Sequence, residues 1–331
     1  MLRLPPYEYH QPRALDEALD LLARHGEDAM PIAGGTDLVP NMKHKLFTPG
    51  HLVALRGLPE LQGIERENGD VRIGAAESLA AVAGHPDVAG SLPSLARACG
   101  DISGPQLRRM GTIGGNVCLD TRCTYYNQTK FWREALGFCL KKDGDDCHVV
   151  KGGTRCVAAH SADGATALMT LDAMLKIAGP DGGRTVAIEE FFTSDGVWNR
   201  RMERNEILVA VRVPVPPPDA RFSFQKLRIR ESIDFPLMNL AAAGRFGDDG
   251  RVTGLRMVLS GMGSYPRKIG KLEEAAVGNH LDDQVIDAIA HQAFRQTHPL
   301  ANIPVDVDWR REMVPVLVRR ALKEMSSSRC E

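Results

Sequence analysis

Residues 112–116 read Thr-Ile-Gly-Gly-Asn, and residues 33–37 read Ala-Gly-Gly-Thr-Asp. Both double-glycine turns follow or contain apolar or β-branched residues. Glycine permits a positive φ and a close approach to a ligand, so consecutive N–H groups can converge on an anion such as a pyrophosphate. A Gly-Gly pair is more often only a tight turn, and neither segment matches Gly-x-Gly-x-x-Gly or the P-loop pattern. The turns therefore do not support a Rossmann or nucleoside-triphosphate fold.

The segments around the first turn predict a small β/α unit that ends near Arg56. Apolar residues at helical spacing predict a helix over 12–25, and short apolar runs predict strands at 30–33 and 51–55. Residues 37–45 predict a short helix, and a helix N-terminus adds a favourable potential for phosphate.

The rest of the chain shows a mixed pattern of strands and helices, interrupted by a proline-rich segment at 214–218 that predicts a domain boundary. Apolar patterning predicts strands at 71–75, 207–213, 222–230 and 252–261, and helices at 92–99, 268–296 and 306–326. In the last helix an apolar residue recurs every four positions, which indicates core packing, and Asp306 or Asp308 could cap it.

Cysteine is concentrated in one part of the chain. Seven cysteines are present, and even scattering would place about one of them between residues 118 and 156. That window holds five: Cys118, Cys123, Cys139, Cys147 and Cys156. The Cys-x2-Cys pair of structural zinc sites does not occur, whereas iron-sulfur ligation tolerates irregular spacing. The pattern favours a metal or cluster site over free thiols, while Cys99 is predicted to be a buried apolar thiol and Cys330 a tail thiol.

The composition is that of an ordinary folded protein. The chain has 331 residues, 43% hydrophobic and 25% charged, which predicts two or three domains. Basic and acidic residues number 41 and 42, so no excess charge is available for a nucleic acid or an anionic membrane. No apolar run reaches the ~18 residues of a spanning helix, and the first twenty residues do not form a signal peptide. We expect a cytoplasmic protein with small-molecule or protein partners.

Taken together, the turns and the cysteine window resemble the FAD-binding medium subunit of the molybdenum hydroxylase (xanthine oxidase) family, over nearly all of the chain. Five motifs occur in the family's order, at 33–37, 102–116, 161–163, 206–208 and 224–226. The resemblance implies an α+β fold, in which a two-lobed FAD-binding domain of the PCMH type is followed by an α/β C-terminal domain of the CO dehydrogenase flavoprotein type. The implied segments are 1–56 for the first lobe, 57–215 for the second lobe and 220–331 for the C-terminal domain.

The resemblance also implies one noncovalently bound FAD. In the family the two glycine turns hold the pyrophosphate, an aspartate after the second turn contacts the cofactor, and a lysine approaches the flavin. The FAD-binding residues expected on this basis are Met30, Pro31, Ile32, Ala33, Gly34, Gly35, Thr36, Asp37, Ile102, Thr112, Ile113, Gly114, Gly115, Asn116, Asp163 and Lys226.

Residues 117–160 depart from ordinary members, in which the chain runs almost directly from the Gly-Gly-Asn turn to the Ser-x-Asp segment. This insertion resembles that of the 4-hydroxybenzoyl-CoA reductase branch, whose β subunit carries an extra 4Fe-4S cluster. The cluster ligands implied by the resemblance are Cys123, Cys139, Cys147 and Cys156, with Cys118 spare.

The function implied is electron transfer from a ferredoxin-like donor through the 4Fe-4S cluster and FAD. The electrons would pass to a 2Fe-2S small subunit and a molybdenum-cofactor large subunit, where an aromatic CoA thioester is dehydroxylated, in a dimer of heterotrimers. No catalytic residue is expected in this chain. One alternative is the FAD subunit of an oxidative molybdenum hydroxylase that delivers electrons to NAD or a quinone. The other is a zinc-organised interaction subunit.

Two further features do not enter the predicted set of binding residues. The charged run at 199–204 predicts a solvated loop. His148 adjoins Cys147 and could donate a hydrogen bond to a cluster sulfur, although chance adjacency is the favoured interpretation.

Overall fold

The computed structural model describes residues 2–327, in which twelve strands form three sheets. The strands are β1 (Glu8–His10), β2 (Ala29–Ile32), β3 (His51–Ala54), β4 (Ile64–Glu67), β5 (Asp70–Gly74), β6 (Met174–Gly179), β7 (Gly182–Ala187), β8 (Ile207–Pro214), β9 (Ala220–Leu227), β10 (Met238–Phe246), β11 (Val252–Ser260) and β12 (Arg267–Lys268). The helices are α1 (Leu15–His25), α2 (Leu38–Lys43), α3 (Leu79–Gly84), α4 (Pro86–Ser91), α5 (Pro93–Asp101), α6 (Pro105–Met110), α7 (Ile113–Val117), α8 (Lys130–Ala135), α9 (Asp163–Leu168), α10 (Ile188–Phe191), α11 (Glu273–Ala276), α12 (Asp283–Gln296) and α13 (Val307–Ser327).

The first sheet is parallel, in the order β1-β3-β2. Helix α1 connects β1 to β2, with acidic residues in its first turn and basic residues in its last turn, as the helix dipole favours. Its apolar side buries Ala18, Leu19 and Leu22. Because the strands are parallel, their carboxyl ends lie at one edge, and the first glycine turn follows β2 at that edge.

The second sheet is antiparallel, in the order β4-β5-β8-β6-β7. Helices α3 to α7 follow β5, and the second glycine turn lies at the start of α7. The cysteine insertion then separates α7 from α9. A single buried apolar cluster joins the first two sheets, so their two lobes share one core.

The third sheet is antiparallel, in the order β12-β11-β10-β9, and packs against α12 and α13 around a second apolar core. The proline-rich segment links β8 to β9. Asp306 caps the last helix, since its carboxylate accepts the Trp309 N–H at 2.6 Å, which confirms one of the two predicted caps. The sequence patterns missed β10, and the predicted helical region at 268–296 contains two helices with a break between them.

Each segment predicted from the family resemblance contains one sheet, although its independent folding stays a prediction. Cys99 is fully buried, as predicted, and Cys330 lies outside the described residues. Among the helices of residues 2–327, none is long and apolar enough to cross a membrane.

Candidate functional site

A cavity of ≈ 570 Å³ opens where the two glycine turns meet. Its volume lies within the ordinary range for small-molecule and cofactor sites. Fifteen of the sixteen residues expected to bind FAD line this cavity. The exception is Ile113, whose side chain is fully buried in the apolar core.

The first turn leaves its backbone donors free. From Gly34 to Asp37, no N–H donates a hydrogen bond to another group of residues 2–327, and all four residues line the cavity. Gly35 has a φ of 68°, in the left-handed region that favours glycine. Successive free N–H groups in such a turn form a concave site for an anion. This turn can therefore hold a phosphate group.

The second turn uses its donors within the fold. The N–H groups of residues 113 to 116 donate to Glu77 O, Ala75 O, Thr112 Oγ1 and Thr112 O, at 2.9 to 3.1 Å. The expectation that both turns aim backbone N–H groups at an anion is therefore wrong for residues 113–116, because these groups start α7 and fix it against β5. The second turn instead forms part of the cavity wall and packs closely against neighbouring backbone.

Close backbone packing brings the two turns together. A Cβ added to Gly34 would lie 2.0 Å from the carbonyl oxygen of Met110, just before the second turn. A Cβ added to Gly114 would lie 2.7 Å from Ala75. A Cβ added to Gly115 would meet only the Thr112 hydroxyl, at 3.0 Å. Gly34 and Gly114 are thus required by packing, whereas Gly115 faces the cavity side.

A buried ion pair closes another wall of the cavity. Lys226 Nζ lies 2.6 Å from Asp163 Oδ2, and both side chains are at most 3% exposed. Asn239 Nδ2 donates to the other carboxylate oxygen at 2.6 Å, and Lys226 also donates to Asp101 O at 2.9 Å. Burial raises the pKa of Asp163, and the Lys226 ammonium and the Asn239 amide oppose that rise. The pair holds its charges in fixed positions at the cavity wall.

The charged run at 199–204 forms a loop, as predicted, but the loop is only partly solvated: Arg201, Glu203 and Arg204 are exposed, whereas Asn199 and Met202 are buried. Asn199 is 2% exposed, and its side chain donates to Ser264 O at 3.0 Å. The guanidinium groups of Arg200 and Arg204 lie 3.8 and 5.0 Å from the Trp198 ring centroid, and all three residues line the cavity. Trp198 followed by arginines at positions 200, 201 and 204 was the sequence signal for a packed cation–π arrangement.

The insertion is a closed loop that is attached to the FAD lobes at its base. Arg122 and Ala159 exchange two backbone hydrogen bonds, at 2.8 and 2.6 Å. The Arg122 side chain forms an ion pair with Asp37 of the first turn, and burial lowers its pKa to about 10. Arg133 of α8 is 1% exposed and donates to Lys45 O at 3.0 Å. These contacts hold the insertion against the first turn and α2.

The closed loop brings four thiols near one another. Burial raises the pKa of Cys123, with further increases from the neighbouring thiols of Cys139 and Cys147. Burial raises the pKa of the Cys156 thiol to about 11; the Lys141 ammonium opposes this rise, and Cys123 and Cys139 add to it. Crowded thiols resist ionisation unless a cation compensates for their charge. A bound cation would lower these pKa values and offset the repulsion among the thiolates.

Backbone donors already point at these sulfurs. The N–H groups of Val150 and Ala158 donate to Cys147 Sγ and Cys156 Sγ, each at 3.4 Å. N–H groups of Tyr125 and Tyr126 do the same for Cys123. Hydrogen bonds to sulfur are a principal control on iron-sulfur potentials. Cys139 sits in a tight turn, where it exchanges backbone hydrogen bonds with Lys142.

Lys141 lies between the thiols and the cavity. Its side chain is 4% exposed, and its ammonium donates to Asp120 Oδ1, Thr121 Oγ1 and Gly196 O at 2.8, 2.9 and 2.5 Å. It lines the cavity and also lowers the pKa of Cys156 through its charge. No local pattern in the sequence marks this position, because one lysine in a polar loop is normally solvated.

Cys118 and His148 occupy different positions from the four thiols. Cys118 precedes the Arg122–Ala159 closure and lines the cavity, and burial raises the pKa of its thiol. His148 Nε2 lies 2.5 Å from Phe138 O, and the His148 ring packs on Tyr125. These contacts connect three segments of the loop, and neither of them involves a sulfur.

Comparison with known proteins gives matches over both parts of the chain. Residues 5–216 match the family model "FAD binding domain in molybdopterin dehydrogenase", and residues 222–325 match "CO dehydrogenase flavoprotein C-terminal domain". The carbon monoxide dehydrogenase medium chain of Afipia carboxidovorans is 30% identical over 96% of each chain. A putative xanthine dehydrogenase FAD-binding subunit of Escherichia coli is 28% identical, over 96% of this chain and 94% of the other. A solved chain of carbon monoxide dehydrogenase from Hydrogenophaga pseudoflava superposes with a TM-score of 0.81, at 27% identity and 98% coverage of both chains.

Proposed function

The chain belongs to the FAD-binding medium subunits of the molybdenum hydroxylase family, and from this premise we propose that it is a flavin and iron-sulfur electron-transfer subunit of a molybdenum enzyme. As a member of this family, the chain is an oxidoreductase subunit with an FAD-binding domain. The additional iron-sulfur role comes from the cysteine loop. The observation that carries it is the closed loop that brings four thiols together beside the FAD cavity, with Lys141 between them.

The residues around the cavity fit FAD. Free N–H groups from Gly34 to Asp37 would hold the pyrophosphate, and Asp163 and Lys226 would contact the cofactor from the opposite wall. The remaining ten expected residues keep their proposed place, with Ile113 supporting the turn from the core rather than lining the cavity. FAD supplies the exchange between two-electron and one-electron steps.

The residues of the loop fit one 4Fe-4S cluster. Cys123, Cys139, Cys147 and Cys156 supply four thiolates, and backbone N–H groups are in place for three of these sulfurs. Cys118 is excluded because it lies before the loop closes. Lys141 would place a positive charge near both the cluster and the flavin. A cluster there would exchange single electrons.

The finer proposal is 4-hydroxybenzoyl-CoA reductase, which dehydroxylates its substrate reductively to benzoyl-CoA. It rests on the cysteine insertion. In that enzyme a ferredoxin-like donor would deliver electrons to this chain, and a 2Fe-2S small subunit and a molybdenum-cofactor large subunit would receive them, in a dimer of heterotrimers. A cytoplasmic location goes with these partners.

A second candidate is an oxidative molybdenum hydroxylase whose flavin subunit delivers electrons to NAD or a quinone. The names of the relatives favour it, since they include dehydrogenases of carbon monoxide and of nicotinate. A zinc-organised interaction subunit is the remaining alternative for the cysteine loop.

Cofactor content and turnover of the anaerobically purified complex separate these candidates. We expect one FAD and about four iron and four sulfide per copy of this chain, beyond those of the 2Fe-2S subunit. We also expect reduction of 4-hydroxybenzoyl-CoA with a low-potential donor. Oxidation of a substrate with NAD or a quinone as acceptor would favour the second candidate. Zinc without sulfide in the loop would contradict the electron-transfer role of the insertion.

A further inference from the structure

Three histidines converge at the edge of the first sheet that lies away from the FAD turn. His10 ends β1, His51 begins β3, and His25 ends α1. One ring nitrogen from each lies within 4.8 Å of the others. The first glycine turn follows the carboxyl end of β2, whereas His51 pairs with Ala29 at the amino end of that strand. None of the three histidines lines the cavity, and all three lie outside the cysteine loop.

The strand register explains the convergence. The parallel pairing of β1 with β3 places Glu8 beside His51, and side chains two residues apart on a strand share a face, so Glu8 and His10 lie on one side. His10 Nε2 lies 3.0 Å from His51 Nδ1, and the His25 and His51 ring centroids are 3.7 Å apart. Two nitrogens bound to one tetrahedral zinc are roughly 3.3 Å apart, for Zn–N of about 2.0 Å. The spacing of these two nitrogens is close to that value.

Carboxylates complete the surroundings. Glu8 Oε2 lies 3.5 Å from His51 Nδ1 and 3.9 Å from His10 Nε2, where it can provide a fourth ligand. Asp28 Oδ2 lies 4.0 Å from the other nitrogen of His51. The second oxygen of Asp28 accepts the Gly50 N–H at 2.7 Å, so this carboxylate is held in place. A carboxylate beside the distal nitrogen of a histidine ligand is the usual arrangement behind a metal-bound imidazole.

We propose that His10, His25 and His51, with Glu8, form a binding site for one divalent transition-metal ion, with zinc as the metal that this ligand set suits. Imidazole nitrogens and one carboxylate favour zinc among abundant divalent ions, whereas magnesium and calcium prefer oxygen. Two carboxylates and one nearby guanidinium, Arg24, leave the site with a net negative charge. The metal would join β1, α1 and β3, and so stabilise the first lobe at the edge opposite the FAD turn.

The test uses the full chain in its complex, stripped with a chelator and then loaded with zinc chloride. Zinc per chain is measured by mass spectrometry after gel filtration, and the zinc K-edge absorption spectrum gives the ligand type. We expect about one zinc ion with nitrogen and oxygen ligands near 2.0 Å and the outer-shell scattering of imidazole. His10→Ala, His25→Ala and His51→Ala should each lose this zinc, and Asp28→Asn should weaken binding roughly 10–100-fold.

Two controls keep the result specific. His291→Ala alters an exposed histidine of α12 and should retain the zinc, as should Cys123→Ser. FAD content and far-UV circular dichroism report whether each histidine variant remains folded, and His25→Ala, at a helix end outside the sheet, is the variant least able to disturb it. Failure of the wild-type complex to retain zinc would overturn the proposal. Sulfur ligation, or zinc content unchanged in folded histidine variants, would overturn it equally.

Discussion

His160 is a titratable residue in the core whose pKa is shifted by burial alone. It is fully buried, Nδ1 bonds to Ser260 Oγ at 2.8 Å, and Nε2 has no partner within residues 2–327. Burial lowers the pKa of His160 to about 3. The imidazole is therefore neutral in the folded protein at all ordinary pH values.

This environment predicts a pH dependence of folding. Between pH 6.5 and 3 the unfolded chain binds a proton at His160 that the folded chain does not, so stability falls as the pH falls through this window. At pH 5.5 the loss is about 1.4 kcal/mol relative to pH 8. Urea unfolding of the wild type and of His160→Gln at both pH values measures it. The variant should have a lower free energy of unfolding at both pH values, but the difference between the two pH values should be smaller than in the wild type by the contribution of His160. An equal difference in the two proteins would contradict the claim that His160 is buried and neutral.

Glycine substitutions test which turn positions serve the cofactor and which serve packing. Gly115→Val places a side chain where only the Thr112 hydroxyl is near, so it should lower FAD affinity by roughly tenfold or more with little loss of stability. Gly34→Ala should lower stability as well, because its Cβ would overlap the Met110 carbonyl. FAD per chain and thermal melting separate these effects. Gly90→Val, with open space at its Cβ, is the control, and full flavin content in Gly115→Val would contradict the assignment.

At the residue scale, the sequence predicted site and cap positions best where a residue type has few structural roles. Paired glycines, clustered cysteines and an aspartate cap could be located from their chemistry, and fifteen of the sixteen expected FAD residues line one cavity. Ile113 could not be separated from its neighbours, because side chains of adjacent residues in a helical turn point about 100° apart and the sequence does not show which of them faces the core. The cavity position of Arg200 and Lys141 depends on long-range packing, which no local pattern records.

At the scale of elements, the insertion acts as one folded unit anchored at its base and at α8. The Arg122–Ala159 closure separates Cys118 from the other four thiols, and Arg133 holds α8 to the first lobe. The concentration of cysteines predicted a metal or cluster site but could not predict this anchoring, since it depends on buried arginines that contact Asp37 and Lys45. Between residues 141 and 155 almost all side chains are exposed or half-buried, so apolar packing adds little there.

Loss of the cluster should therefore loosen the loop but not the lobes. Limited trypsin digestion of chelator-treated, iron-free complex should cut first at Lys142, Lys151 or Arg155, at a rate roughly tenfold higher than in the iron-replete complex, since metal ligation and folding of such a loop are coupled. Mass spectrometry of the fragments locates the cuts. Equal protection of the loop with and without iron, or first cuts within the glycine turns, would contradict the prediction.

The buried lysine between loop and cavity predicts a shift in reduction potential. Lys141→Met removes a positive charge beside the cysteine sulfurs, so reduction of the cluster becomes harder and its potential should fall by roughly 60 mV, a tenfold change for one electron. Lys142→Met is the matched control, because its side chain is 41% exposed and water screens its charge. Redox titration followed by electron paramagnetic resonance measures both. A shift in Lys142→Met equal to that in Lys141→Met would contradict a specific effect of the buried charge.

At the scale of the whole molecule, residues of all three sheets and of the cysteine loop line the FAD cavity. The family fold could be predicted from ordered motifs because each motif is tied to one place in the architecture, and the comparisons confirm the FAD-binding and C-terminal domains. Strand β10 was missed because its run of alanines lacks the β-branched pattern of a strand. The proposed electron-transfer role joins two parts of the chain, the glycine turns and the insertion, and residues of both line the cavity.

Iron and acid-labile sulfide per chain, measured in single cysteine variants of the anaerobically purified complex, test that role most directly. The account predicts that serine at Cys123, Cys139, Cys147 or Cys156 each removes about four iron atoms per chain, the content of one cluster, while Cys118→Ser removes none. FAD should remain bound in all five variants, because its turns lie outside the loop. Iron lost from Cys118→Ser but retained in Cys156→Ser, or zinc in place of iron throughout, would contradict it.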